Sequence, residues 1–226
     1  MHRHPVSQCV RQIYSIFSEL GFSIIGGPEI DSEYYNFDAL NVPSHHPARD
    51  MQDTFWLQPE SSRELLRTHM TAVDVRFLEQ NPPPVRIIAP GKVFRNEATD
   101  ATHEAQFFQV DGMVVAPDAS MATLKGTLNL FFKKLLGPEA QVRFRPSYFP
   151  FVEPGVEIDV QFRGKWLEVM GAGMLHPQVL RAAKLDPAVH KGFAFGGGIE
   201  RLVMIKHGIS DIRLLYTGDL RLINQF

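Results

Sequence analysis

Val6, Cys9, Val10, Ile13, Phe17 and Leu20 recur at helical spacing, with Pro5 suited to a first turn and Gly21 to a stop. The pattern predicts an amphipathic helix over 5–20. From 26 to 58 the periodicity gives way to a turn-rich stretch, and a second helix begins near Thr71 and is halted by Pro82, Pro83 and Pro84. Thr71 and Asp74 stand at capping-box spacing, which gives Thr71 a structural role without any ligand. Residues 85–94 and 107–115 alternate as strands around a polar connection at 98–106 and predict an antiparallel pair with a long loop. A third helix covers 120–136 and stops at Gly137 and Pro138. Residues 156–162 and 166–170 alternate about Arg163, Gly164 and Lys165, a second hairpin, and helical patterns follow at 177–184 and 199–207. Hairpins predominate over strand–helix–strand units. The predicted fold class is therefore α+β, a mainly antiparallel β-sheet flanked by helices.

A chain of 226 residues buries one substantial core, and a second full domain would be cramped. Its 44% hydrophobic and 21% charged content is that of a soluble globular protein, with no bilayer-spanning run and no signal peptide over 1–10. The expected location is cytoplasmic, with no membrane association. Cys9 is the sole cysteine, on the apolar face of the first helix, which excludes an internal disulfide and a thiolate metal cluster. A formal charge of −2 argues against tight nucleic-acid binding over a broad face by this chain alone, though not against a local or shared tRNA contact.

The candidate chemistry starts at FGGGIER, 195–201, where Arg201 falls in the first turn of a helix, against the positive end of its dipole. An anionic ligand would compensate; so would an ordinary glycine turn whose arginine pairs with Glu200. On the predicted strands Arg95 and Glu97 share one face, as do Phe107, Gln109 and Asp111. Together they would offer a phosphate, a base and an ammonium group their partners; a solvated face with cross-strand ion pairs is the plainer alternative. Glu157 and Asp159 share a face, with Glu168 on the neighbouring strand, a set able to hold magnesium or simply to be solvated. Phe149, Pro150 and Phe151 suit the rigid apolar wall of a small pocket. The histidines show no zinc-ligand spacing, and there is neither a P-loop nor a GxSxG nucleophile motif. An ATP site here would be built on a sheet.

Phe94, Arg95, Asn96 and Glu97, taken with GGGIER at 196–201, resemble motifs 2 and 3 of the class II aminoacyl-tRNA synthetases. GPEID at 27–31, NFDALN at 36–41, HPARD at 46–50, DTFWL at 53–57, LLRTH at 65–69, ATDATHEAQFFQ at 98–109, FRPSYFPFVEP at 144–154 and GFAFG at 192–196 are similar to the catalytic α subunits of bacterial phenylalanyl-tRNA synthetases. The likeness runs from about His4 to Phe226. It implies a class II synthetase fold over 1–226 that joins phenylalanine to ATP and passes the phenylalanyl group to tRNA. By motif, it implies that Arg95 binds the α-phosphate and that Arg201 binds the γ-phosphate side, covering the adenine against Phe107. Glu97 would meet the adenine edge and His103 the phosphates. His69 and Thr71 would lie near the amino acid's carboxylate, Gln109 and Asp111 on its ammonium, Phe149 and Phe151 on its ring, and Ala194 at the pocket's end. Mg2+ would be held by Glu168, Glu157 or Asp159, with Glu168 favoured.

The resemblance further implies a β subunit in a heterotetramer and self-association through the first motif, around 26–31. The family usually carries an N-terminal coiled coil that reaches the tRNA, whereas this chain opens at the catalytic domain. It also departs at Thr71, where serine is usual, at Asp111, where glutamate is usual, and at Met70 and Gln52. Asp111 is shorter by one bond, about 1.5 Å, so its ammonium contact is expected through water or a shifted strand. An amino-acid-activating paralogue with a non-tRNA acceptor, or a non-catalytic binding subunit, remains open at this point.

Overall fold

The first helix, α1 (Pro5–Glu19), begins where Pro5 fixes the backbone and the His4 imidazole accepts the Val6 amide at 3.2 Å. In this computed structural model, residues 3–49, 53–162 and 164–226 are described, so Asp50, Gln52 and Arg163 lie outside the described residues. The stretch after α1 holds β1 (Ser23–Ile24), β2 (Ile30–Ser32), a short α2 (Glu33–Asn36) and β3 (Glu64–Leu66). Next come α3 (Ala72–Leu78), β4 (Val85–Phe94), β5 (Gln106–Val115) and α4 (Met121–Leu136). Three strands follow, β6 (Val142–Phe149), β7 (Val152–Phe162) and β8 (Lys165–Leu175), then α5 (Pro177–Ala182), β9 (Gly192–Gly198), α6 (Ile199–His207) and α7 (Leu220–Ile223).

Seven strands form one sheet in the order β1-β4-β5-β9-β8-β7-β6, antiparallel except for the β1–β4 pair, while β2 and β3 pair separately. Alternation divides the sheet into two faces. Ile88, Val110, Val114, Phe193 and Phe195 pack in one cluster with Phe17 of α1, Phe131 of α4 and Leu202 of α6. Ile87, Met113 and Ala194, one residue out of phase, join Val75 of α3 and Val179 of α5 in a second cluster. Gln109 and Asp111 share the second face with Met113. The layer of α1, α4 and α6 thus backs one face of the sheet, while α3 and α5 cover part of the other.

Several expectations change. The predicted glycine turn at 196–198 is the end of β9, paired with β5 along all three glycines and with β8 at Gly196. Glycine is required there for closeness: a Cβ on Gly197 would strike the Val169 carbonyl. Residues 142–149, read only as pocket wall at their end, form the edge strand β6, where Pro146 is tolerated because an edge need not donate on both sides. The hairpin strands β7 and β8 run several residues longer than predicted. Thr71 does precede α3, but its side chain makes no capping bond; its hydroxyl turns to Asp111 at 2.5 Å instead.

Candidate active site

A cavity of about 540 Å³ opens on the sheet face that carries Gln109 and Asp111, and it gathers thirteen of the fifteen predicted site residues. They are Arg95, Glu97, His103, Phe107, Arg201, His69, Thr71, Gln109, Asp111, Phe149, Phe151, Ala194 and Glu168. Glu157 and Asp159 do not line it. Asp159, with 2% of its side chain exposed, accepts from Arg143 at 2.6 Å and Arg145 at 2.5 Å, and Glu157 accepts from Ser147 at 2.7 Å and pairs with Arg145 at 2.7 Å. These arginines stand directly opposite the two carboxylates on β6, so their pairing is a cross-strand one.

Arg95 follows β4, where its amide donates to the Ala105 carbonyl at 2.9 Å and closes the loop between the strands. Its Nε donates to the Thr68 carbonyl at 3.1 Å, and its guanidinium lies 5.2 Å from the centre of the Phe107 ring. Between them the loop bends over Asp100, which accepts the Thr102 amide at 2.7 Å and the His103 amide at 2.8 Å. This bend sets His103 at the rim. On the far rim Arg201 donates, among the described residues, to the Glu168 carbonyl at 2.9 Å, while Glu200 turns away from it toward β5. The expected Arg201–Glu200 pair is therefore not formed.

Deeper in, the acceptors outnumber the donors. Asp111 is buried, with Oδ2 held by Thr71 and Oδ1 without a partner, and Gln109 Oε1 is likewise buried and bare. Burial pushes the Asp111 carboxyl up to about 7, against the Thr71 hydroxyl and the Arg95 and Arg67 charges, which pull it down. His69 lies with its ring centre 6.2 Å from that of Phe151, and burial together with Arg95 pushes it down to about 3, so it is neutral at physiological pH. Phe149 and Phe151 stack at 6.0 Å, and Phe149 fits over Gly171, where a Cβ would come 2.8 Å from its ring.

Sequence reasoning missed two features. Asp74, 1% exposed, has neither carboxylate oxygen partnered, and burial and Asp111 hold its carboxyl well above the usual range. Its helical position carried no signal for this. Arg67 is buried with its guanidinium on the Gly27, Pro28 and Lys92 carbonyls, which ties the first-motif segment to β4. The LLRTH motif contained it but gave it no role.

Residues 1–226 match the family described as tRNA synthetases class II core domain (F). The chain is 53% identical over 225 residues to the phenylalanine–tRNA ligase alpha subunit of Prochlorococcus marinus (strain MIT 9313), covering 100% of this chain and 66% of that one. It is 51% identical over 224 residues to that of Edwardsiella ictaluri (strain 93-146), covering 99% and 67%. The chain belongs to the class II tRNA synthetases, among the phenylalanine–tRNA ligase alpha subunits. It spans about two thirds of the length of these curated relatives. The crystal structure of pyrrolysyl-tRNA synthetase from Desulfitobacterium hafniense shares the fold at a TM-score of 0.75 and 18% identity, over 96% of this chain and 75% of that one. The class II synthetase fold inferred from the two motifs is therefore the one present.

The close approach of β9 to β5 makes a direct test of this candidate site. A Cβ on Gly196 would lie 2.7 Å from Asp111 Cγ, so Gly196→Ala is expected to displace the carboxylate. Its KM for the amino acid should rise by about tenfold or more, on the scale of one charge-assisted hydrogen bond, with a smaller change for ATP. Steady-state kinetics on both substrates checks this; equal effects on the two would show general damage to the sheet.

Proposed function

We propose that the chain is the catalytic part of an enzyme that activates L-phenylalanine with ATP and transfers the phenylalanyl group to its tRNA. One observation carries the reading: a single cavity sets two arginines and an aromatic platform beside buried acceptors that lack protein donors. Gln109 Oε1 and Asp111 Oδ1 suit an ammonium group, which has only donors. Phe149 and Phe151 suit a phenyl ring, and Ala194, buried at the same wall, limits the depth available beyond it. The apolar wall would exclude tyrosine's hydroxyl chiefly by fit, on a scale of about a hundredfold.

The chemistry needs placement more than proton transfer. The amino acid's carboxylate attacks the α-phosphorus of ATP, a C–O–P bond forms, and the bond to pyrophosphate breaks, with the electron pair leaving on pyrophosphate. Two anions must be brought together, and charge grows on the transferring group; fixed guanidiniums answer both needs. Arg95 would hold the α-phosphate and Arg201 the γ-phosphate side. Phe107 would support the adenine, Glu97 its edge, and His103 the phosphates from the loop. His69 is neutral and so adds no charge beside the substrate carboxylate, while Thr71 fixes Asp111.

Mg2+ fits this site in part. The Glu168 carboxyl is raised by burial and by the nearby Glu157 charge, a repulsion that a cation would relieve. Glu157 and Asp159 are already neutralised by arginines, and no cluster of three or more metal-ligating side chains occurs among the described residues. Glu168 would therefore share the ion with the ATP phosphates and water, and the ion would supply charge neutralisation at the phosphates. The relatives' designation as alpha subunits supports a β-subunit partner, and the proposed assembly is a heterotetramer that self-associates near 26–31. No helix among the described residues is long and apolar enough to cross a membrane, and cytoplasmic action is part of the proposal.

ATP–pyrophosphate exchange with each standard amino acid, for the chain alone and with its β subunit, tests the reading. Exchange confined to phenylalanine is expected, followed by transfer to phenylalanine tRNA in the assembled enzyme. Exchange with a different amino acid would overturn the assigned substrate, and none with the partner present would overturn the activity.

A further inference from the structure

Tyr216 lies beyond every residue assigned above, yet its phenol donates to Glu200 Oε1. The same oxygen accepts the Phe108 amide at 2.8 Å. Glu200 is 1% exposed, and its Oε2 has no partner. Three separate parts of the chain meet at this carboxylate: β5 one residue after Phe107, α6 one residue before Arg201, and the C-terminal segment. That segment is anchored at the loop beside the site and at the start of α1. The Ile212 amide donates to the Ala101 carbonyl in the loop that carries His103, and His4 Nε2 bonds the Leu215 carbonyl at 2.8 Å.

We propose that Tyr216 is a positioning residue for the nucleotide half of the site, holding Glu200 so that Phe107 and Arg201 keep their places. The inference rests on the activation reading of the cavity. A buried carboxylate remains a strong acceptor only while donors offset its lost hydration. Burial pushes Glu200 up to about 7, and the Tyr216 phenol, the Phe108 amide and its own backbone amide pull it back. Removing the phenol takes away the largest of these donors and leaves only the backbone amides of Phe108 and Glu200, so Glu200 takes up its proton at higher pH and holds the Phe108 amide less firmly. The other ionisable groups around the pair are Cys9 on α1, with Lys206 beside it, and Glu104, which faces Tyr216 from the loop.

Tyr216→Phe in the assembled enzyme keeps the ring and removes only the hydroxyl. The KM for ATP is expected to rise by about tenfold, the scale of one hydrogen bond to a charged group, and the acid limb of kcat/KM for ATP to move to higher pH. The KM for phenylalanine should change far less. Hydrogen exchange over 106–110 should quicken, a readout that needs no catalysis. Glu200→Gln, which cannot titrate, should erase that acid limb. Unchanged ATP kinetics and pH profile with unchanged exchange at 106–110 would overturn the proposal, as would equal losses for both substrates. If the unaltered enzyme shows no phenylalanine-dependent turnover, the activation reading falls by itself, and faster exchange at 106–110 in Tyr216→Phe would leave only the structural link standing.

Discussion

Arg201→Ala is expected to lower phenylalanine-dependent ATP–pyrophosphate exchange by about a thousandfold or more, the scale on which a single arginine stabilises phosphoryl-transfer charge. The residue is well suited to such a test. Its one hydrogen bond among the described residues is to the Glu168 carbonyl at the cavity rim. Removing it leaves the core residues Ile199, Leu202 and Val203 of α6 in place. Thermal stability should therefore change little, within about 0.5 kcal/mol, as for a surface substitution. Relief of a cation from the first turn of α6 also acts in the stabilising direction. Turnover within a few fold of the unaltered enzyme, with the fold intact, would remove Arg201 from the mechanism.

Asp111→Asn is expected to have two opposite effects. The folded-state carboxyl is raised from 3.8 to about 7, so its contribution to stability is fully present below the unfolded value and is lost as pH rises through 7. An asparagine has no such charge to bury. Relative to the unaltered protein, the variant should gain stability steadily between pH 4 and 7 and hold that gain above 7, by roughly 4 kcal/mol at most. Phenylalanine binding should move the other way, because the substrate ammonium loses its charged partner. A rise in KM of about a hundredfold corresponds to 2–3 kcal/mol, the value of a charge-assisted hydrogen bond. In the unaltered enzyme the same logic predicts that KM for phenylalanine rises as pH falls below 7, while in the variant that limb disappears. Urea unfolding across pH and substrate kinetics measure the two effects separately. A variant no more stable than its parent at pH 8 would show that the carboxylate is not held at the cost of stability.

Periodicity located α1, α4 and α6 within a residue or two, because each presents one apolar stripe to the same core, and it located the β4–β5 pair from its apolar run between polar connections. It failed at β9 and β6 for identifiable reasons. In β9 the glycines 196–198 read as a turn, and only the packing of Val169 and Asp111 against them explains an extended backbone. In β6 a proline interrupts the alternation, which an edge strand tolerates and a central one does not. The unseen strand mattered chemically, since Arg143 and Arg145 on β6 are what neutralise Asp159 and Glu157.

Residue type and order along single elements were enough for the family, for the antiparallel class of the sheet and for thirteen of the fifteen side chains assigned to the cavity. Which of those groups are free to act depends on what the folded chain brings beside each of them. The fold gave Thr71 to Asp111 and not to a helix cap, and Glu200 to β5 and the C-terminal segment and not to Arg201. It also left Asp74 buried without a partner. A side chain's partner is set by which distant strand arrives beside it and in what register, and its charge state by how much water that arrival removes. Neither quantity exists until the chain has folded.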